Sequence, residues 1–118
     1  MVHATVIYRY CDVNRLNDAS HLACLLRKAA AISRMKILGE QFHEFDPMGF
    51  TGVLLLSESH IAIHSWPEHR LAVLTFFACG GKDPNKAIQL VRRGLGSKDI
   101  QVHMAPISDM LSSSGSSN

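Results

Sequence analysis

The densest group of residues that could do chemistry lies between Ser57 and His69. It contains Ser57, Glu58, Ser59, His60, His64, Ser65, Glu68 and His69. His60 and His64 are four residues apart, which would place both on one face of a helix. The alternating apolar residues between them, followed by Pro67, favour a strand instead. On a strand the two rings stand about 13 Å apart, too far for one zinc ion, which holds each ligand nitrogen at about 2.0 Å. The cluster therefore predicts no metal site.

The same region offers a nucleophile with a general base. Ser59 and Cys79 each carry a heteroatom on Cβ, and His64 could take a proton from either of them. Spacing does not select between these pairs, because a serine near a turn often caps the backbone and a cysteine in a strand often packs as a small apolar residue. The residues by themselves leave nucleophilic and structural interpretations open.

A longer stretch is more specific. Residues 56–68, Leu-Ser-Glu-Ser-His-Ile-Ala-Ile-His-Ser-Trp-Pro-Glu, resemble the signature of the prokaryotic S-adenosylmethionine decarboxylases, the pyruvoyl-dependent, self-processing enzymes of polyamine synthesis. The resemblance continues at Phe42-His43-x-Phe45, at residues 77–80 (Phe-Ala-Cys-Gly), at Asp83-Pro84 and at Lys86-Ala87. It covers roughly residues 3–104.

The resemblance implies that the chain cuts itself between Glu58 and Ser59. The Ser59 hydroxyl would attack the Glu58 carbonyl to form an ester, and β-elimination would free Glu58 as a new C-terminus. The dehydroalanine left behind would become a pyruvoyl group, so the implied cofactor is covalent pyruvate, without a metal. His64 matches the base that removes the α-proton, and Thr51 stands where the family usually has a serine that supports processing.

The resemblance also implies roles in the mature enzyme. The amine of S-adenosylmethionine would form a Schiff base with the pyruvoyl ketone, which accepts the electrons left by loss of CO2. Cys79 matches the proton donor to the resulting carbanion, and a thiol with a pKa near 8.5 is mostly protonated at neutral pH. Glu68 would bind the ribose hydroxyls, and Phe45 would offer an aromatic face to adenine.

Departures from the family pattern leave the substrate open. His69-Arg70-Leu71 replace small or aromatic residues that often surround a glycine, Thr75 stands where an aspartate is usual, and Ala78 replaces a threonine. Some homologues of the family decarboxylate ornithine or arginine, so a basic amino acid is the alternative substrate. A second alternative is a non-catalytic relative that acts as a binding partner, although the joint presence of the three catalytic candidates argues against it.

Length and composition exclude several classes of protein. The chain has 118 residues, of which 47% are hydrophobic and 19% are charged, which predicts one folded domain and excludes a disordered protein. A net charge of +2 from scattered basic residues does not indicate a nucleic-acid partner. No apolar run approaches the roughly 18 residues of a membrane span, and the N-terminal residues lack the order of a signal peptide. Three cysteines without a CxxC pair suit the reducing cytoplasm.

Hydrophobic spacing predicts the order strand, helix, several strands, helix, strand. The predicted strands are 2–10, 41–45, 51–56, 60–65, 71–79 and 100–104. One helix is predicted from about residue 18 to residue 35, capped by Asn17 or Asp18; the other has Asp83 as N-cap, Pro84 as first residue and Gly94 or Gly96 at its end. The fold class is therefore α+β, a two-layer sandwich of mostly antiparallel sheet with two helices on one face. The resemblance implies that this sandwich is of the S-adenosylmethionine decarboxylase type.

Apolar residues occur at both parities in the predicted strands, which indicates that a second subunit covers the other sheet face. The resemblance likewise implies a homodimer of processed αβ protomers that takes a small-molecule substrate. Neither nucleic acid nor membrane is an expected partner. Residues 1–111 form the predicted catalytic domain, cut into a β chain of 1–58 and an α chain of 59–118. The Ser/Gly-rich stretch 112–118 is predicted to be a disordered tail.

Overall fold

One antiparallel sheet contains every strand of the computed structural model, which describes residues 1–78 and 83–107. The elements are β1 (Val2–Arg9), α1 (Val13–Leu16), α2 (Ala19–Ile32), β2 (Ile37–Glu44), β3 (Phe50–Leu56), β4 (His60–Trp66), β5 (Leu71–Ala78), α3 (Asn85–Leu95) and β6 (Asp99–Pro106). The strand order across the six-stranded sheet is β2-β3-β4-β5-β1-β6. The first strand of the chain thus lies between two of the last, β5 and β6.

The helices cover one face of this sheet and form the core with it. Alternate strand residues turn towards them, since successive side chains on a strand point to opposite faces. The buried sheet residues of the core are Ala4, Val6, Tyr8, Phe50, Leu54, Leu56, Ile61, Ile63, Ala72, Leu74 and Phe76. The helices contribute Leu22, Leu26 and Ala29 from α2, and Ala87, Ile88, Val91 and Leu95 from α3. The predicted α+β sandwich is confirmed.

The first helical region contains an element that the sequence did not predict. Helix α2 begins after Asp18, whose carboxylate accepts a hydrogen bond from the His21 amide at 3.1 Å, as the predicted cap requires. Before it lies α1, a single turn of four residues where the sequence predicted only an irregular break. Asp12 caps that turn by accepting from the Arg15 amide at 3.1 Å. The two predicted helices are both present, and α1 is an additional single turn that is too short for hydrophobic periodicity to detect.

Helix α3 begins one residue later than predicted. Pro84 is its N-cap, and Asp83 lies one position further out, where its carboxylate accepts from the Asn85 amide at 2.9 Å. The predicted end is confirmed, because Gly96 ends the helix at a φ of 62°, the left-handed conformation that glycine adopts without a steric cost.

The sheet face away from the helices, here called the open face, mixes apolar residues with histidines. By alternation it carries His3, Thr5, Ile7, Thr51, Val53, Leu55, His60, Ala62, His64, Val73, Thr75 and Phe77.

Two predictions concern residues outside the described ranges: the proton donor Cys79 and the tail 112–118. Within residues 1–78 and 83–107, no helix is long and apolar enough to cross a membrane.

A buried tyrosine joins the two layers. The Tyr8 hydroxyl, on β1, donates to the Ile88 carbonyl of α3 at 2.9 Å, and burial raises the pKa of Tyr8 far above its usual value. The change Tyr8→Phe should lower the free energy of unfolding by about 1 kcal/mol, the net contribution of one such hydrogen bond, as measured by urea denaturation. Tyr10→Phe is the matched control, because Tyr10 is 58% exposed. Equal stability of the two variants would show that the bond contributes nothing.

Candidate active site

The bond between Glu58 and Ser59 lies in the tight turn that joins β3 to β4. Leu56 and Ser59 close this turn by two backbone hydrogen bonds, of 2.9 Å and 3.4 Å, and Glu58 is exposed at its tip. The Ser59 hydroxyl donates to the His60 carbonyl at 3.1 Å. The predicted cleavage site is thus an exposed hairpin turn.

His64 is held by Thr51 on the neighbouring strand. The two residues are directly paired in the register of β3 and β4, and Thr51 Oγ1 lies 2.9 Å from His64 Nδ1. When Nδ1–H donates to this hydroxyl, Nε2 keeps its lone pair and can accept a proton, which is the tautomer that a general base requires. The sequence analysis named these two residues separately, and the structure brings them together in the geometry of a base with an orienting partner.

A cleft of about 440 Å³ opens beside this pair. Its lining consists of Phe45, Met48, Gly49, Thr51, His64, Ser65, Trp66 and Glu68. Four residues that the sequence singled out, Phe45, Thr51, His64 and Glu68, are therefore gathered in one place. They come from the β2–β3 loop, β3, β4 and the turn after β4, which are adjacent only because the strands pair.

Trp66 also lines the cleft, which the sequence did not predict. From the sequence, Trp66 and Pro67 were expected only to end a strand. The Trp66 side chain is 40% exposed, and its ring centroid lies 6.1 Å from that of His64. The available signal was parity, because Trp66 is two residues after His64 and thus on the same face of β4. Pro67 begins a 3₁₀ turn, Pro67–His69, which contributes Glu68 to the lining of the cleft.

The structure does not bring Ser59 into this cleft. His60 and His64 lie on the same face of β4 about 13 Å apart by the rise of an extended chain, and Ser59 lies beyond His60. The His60 ring packs against Phe77, with centroids 5.5 Å apart, rather than towards the cleft. Within one chain, Ser59, the residue to be processed, is therefore far from His64, the predicted base. Cys79, the predicted proton donor, is not among the described residues.

Other candidates have structural partners. Cys11 is fully buried, and its thiol donates to the Tyr8 carbonyl at 3.5 Å. Burial raises the pKa of the Cys11 thiol, which makes it a poor nucleophile. In the described part of the chain, no three His, Cys, Asp or Glu side chains group as a metal site would require.

Arg70, one of the departures from the family pattern, does not line the cleft. Its Nε donates to the Cys11 carbonyl at 2.9 Å, so the guanidinium is directed at the connection between β1 and α1. Thr75, another departure, lies on β5 between Ala62 and Thr5 in the sheet register and is also outside the cleft lining.

A family model, related sequences and a solved structure all identify the same family. A family model described as S-adenosylmethionine decarboxylase matches residues 2–106. The S-adenosylmethionine decarboxylase proenzyme of Sulfurihydrogenibium sp. is 38% identical over 95 residues, which cover 80% of this chain and 71% of that protein. The corresponding proenzyme of Prochlorococcus marinus is 40% identical over 90 residues, covering 75% and 72%. The crystal structure of the adenosylmethionine decarboxylase from Aquifex aeolicus superposes with a TM-score of 0.80 at 26% identity, covering 88% of this chain and 87% of that one. The chain belongs to the S-adenosylmethionine decarboxylase family.

Proposed function

We propose that this protein decarboxylates S-adenosylmethionine to the aminopropyl donor for spermidine synthesis, using a pyruvoyl group that it makes from its own Ser59. The observation that carries the proposal is the cleft that gathers His64, Glu68 and Phe45 in a chain of this family. The named relatives are proenzymes, which supports a self-processing step.

The cleft has the chemistry that this substrate requires. Phe45 is 50% exposed and Trp66 is 40% exposed, so both offer aromatic surface to an adenine ring or a sulfonium cation. The Glu68 carboxylate is an acceptor for ribose hydroxyls. A volume of about 440 Å³ is within the usual range of small-molecule sites. Arg70 and Thr75 were departures that left a basic amino acid as the alternative substrate. Both lie outside the cleft lining, and Arg70 bonds to the Cys11 carbonyl, which supports S-adenosylmethionine instead.

Processing would begin at the exposed turn. The Ser59 oxygen attacks the Glu58 carbonyl carbon, the peptide C–N bond breaks, and an ester replaces it. Removal of the Ser59 α-proton by a base then breaks the Cβ–O bond, which frees the Glu58 carboxylate and leaves dehydroalanine. Tautomerisation and attack by water release ammonia and leave the ketone. The pyruvoyl group supplies an electron sink for decarboxylation of an α-amino acid.

The sheet order would hold the two products together. Residues 1–58 contain β1, β2 and β3, and residues 59–118 contain β4, β5 and β6. The ladder between β3 and β4 joins the two pieces, and β1 pairs with both β5 and β6. Cleavage of the turn therefore leaves a single domain made of two interleaved chains.

Cys11 and Cys24 are free cysteines, which supports a location of this protein in the reducing cytoplasm.

A homodimer through the open face would complete the site. Apolar side chains such as Leu55, which is 56% exposed, are covered by no helix of the described ranges 1–78 and 83–107 on this face. Facing sheets pack about 10 Å apart. A two-fold axis that runs across the strands would reverse their direction, and so would place the β3–β4 turn of one chain over the cleft of the other. Ser59 would then meet His64 of the partner subunit, which the length of β4 prevents within one chain.

The function is tested by mass and by released CO2. Purified protein should consist of two chains, residues 1–58 and a pyruvoyl-blocked 59–118, and should release CO2 from carboxyl-labelled S-adenosylmethionine. The Ser59→Ala protein should stay as one chain and release none. Release from ornithine or arginine alone would contradict the proposed substrate. An uncut parent chain without activity would favour the non-catalytic alternative.

The proposed site shared between two subunits is tested by co-expressing two variants that are each unable to cleave themselves. Ser59→Ala and His64→Ala chains with different tags should each stay uncut when expressed alone. When they are co-expressed, the His64→Ala chain should be cut, because its Ser59 faces the intact His64 of the partner subunit. The Ser59→Ala chain in the same sample is the internal control and should stay whole. Failure of the mixed dimers to cut either chain, with dimers verified by tag pull-down, would show that the base does not act across subunits.

Thr51 is tested by two substitutions of similar size. Thr51→Val keeps the shape of the side chain but loses the bond to His64 Nδ1, so self-cleavage should slow about tenfold, the effect of about 1.4 kcal/mol. Thr51→Ser keeps the hydroxyl and should cleave at close to the parental rate. Cleavage is followed by intact mass over time after synthesis. Equal rates for valine and serine would mean that the hydroxyl does not orient the base.

A further inference from the structure

We infer that Arg70 is a positioning residue for the substrate cleft: it fixes the turn that carries Glu68, and so sets the affinity for substrate without touching it. The inference rests on the proposed function, because it takes Glu68 as a substrate contact. It begins from an arginine that stands in the turn next to the cleft but does not line it.

Arg70 ties the turn to a distant part of the chain at two points. The Arg70 amide donates to the Pro67 carbonyl at 3.1 Å, which closes the 3₁₀ turn around Glu68. The Arg70 carbonyl accepts from the Cys11 amide at 3.1 Å, and Arg70 Nε donates to the Cys11 carbonyl at 2.9 Å. These two bonds run in opposite directions between the same two residues, so together they restrict both the distance and the rotation of the turn.

A second attachment lies just before the turn. Ser65 is buried, and its hydroxyl donates to the Leu16 carbonyl at 2.9 Å. The segment from Trp66 to His69 is therefore bracketed by Ser65 and Arg70, and both are anchored on residues 11–16. Glu68 lies inside this bracket and His64 lies outside it, on β4. Loosening the Arg70 end should thus disturb binding by Glu68 more than proton transfer by His64.

The backbone at Arg70 explains why its side chain needs this bond. Arg70 has a φ of 53° and a ψ of 40°, the left-handed conformation in which a residue with a Cβ is strained. Glycine adopts it freely, which agrees with the glycine that the family often has in this turn. The hydrogen bond from Nε offsets the strain and keeps the turn in place.

The test compares Arg70→Gln with Arg70→Met. Gln places an amide nitrogen where Arg has Nε, so it can still donate to the Cys11 carbonyl but has no charge. Met has a similar length and no donor. The Met variant should raise KM for S-adenosylmethionine about fivefold, the effect of one lost hydrogen bond, with kcat within about twofold of the parent. The Gln variant should have nearly the parental KM. Equal KM values for the two variants, or a fall in kcat with unchanged KM, would overturn the inference.

A second measurement does not depend on turnover. Trp66 is the only tryptophan of the chain, is the first residue of the bracketed segment, and is partly exposed. Acrylamide should quench its fluorescence more strongly in the Met variant than in the Gln variant. If the parent releases no CO2 from S-adenosylmethionine, the proposed function is wrong, and this comparison alone decides whether Arg70 fixes the turn. Equal quenching in both variants would mean that it does not.

Discussion

The fixed rise and the alternation of an extended strand set the arrangement of this protein's functional residues. On β4, Ile61, Ile63 and Ser65 face the helices, so His60 and His64 necessarily face the other way. The same strand cannot fold back on itself, and its length keeps the β3–β4 turn away from the cleft. One face of this short strand thus packs into the core and the other carries the candidate catalytic residues. Its length also keeps Ser59 and His64 apart within a single chain.

The order of the strands makes cleavage of the chain compatible with a stable fold. A cut between Glu58 and Ser59 would remove the Ser59 N–H, and with it one of the two backbone hydrogen bonds that close this exposed turn. The ladders between β3 and β4 and around β1 would be untouched. In a sheet whose strands followed the chain order, the two pieces would meet along one ladder only. Here β1 lies between β5 and β6, so each piece covers edges of the other.

The cleft depends on contacts between segments that are distant in the sequence. Thr51 meets His64 through strand register, and the Glu68 turn is anchored on residues 11–16 through Ser65 and Arg70. The sequence pattern predicted Phe45, Thr51, His64 and Glu68 as site residues because they resemble a family motif. It did not predict Trp66 as a cleft residue or α1 as a helix, because a single aromatic residue and one helical turn are too short to produce a periodic signal.

By itself, the sequence determined the α+β class, the positions of most strands, the start of α2 after a cap at Asn17 or Asp18, and the resemblance to a decarboxylase family, since these depend on local spacing and on a contiguous motif. Only the tertiary structure decided that Arg70 is directed at Cys11 rather than at the cleft, and that Ser59 and His64 of one chain are kept apart. The reason is physical: a motif records which residues are neighbours along the chain, whereas chemistry depends on distances that strand direction, register and pairing impose.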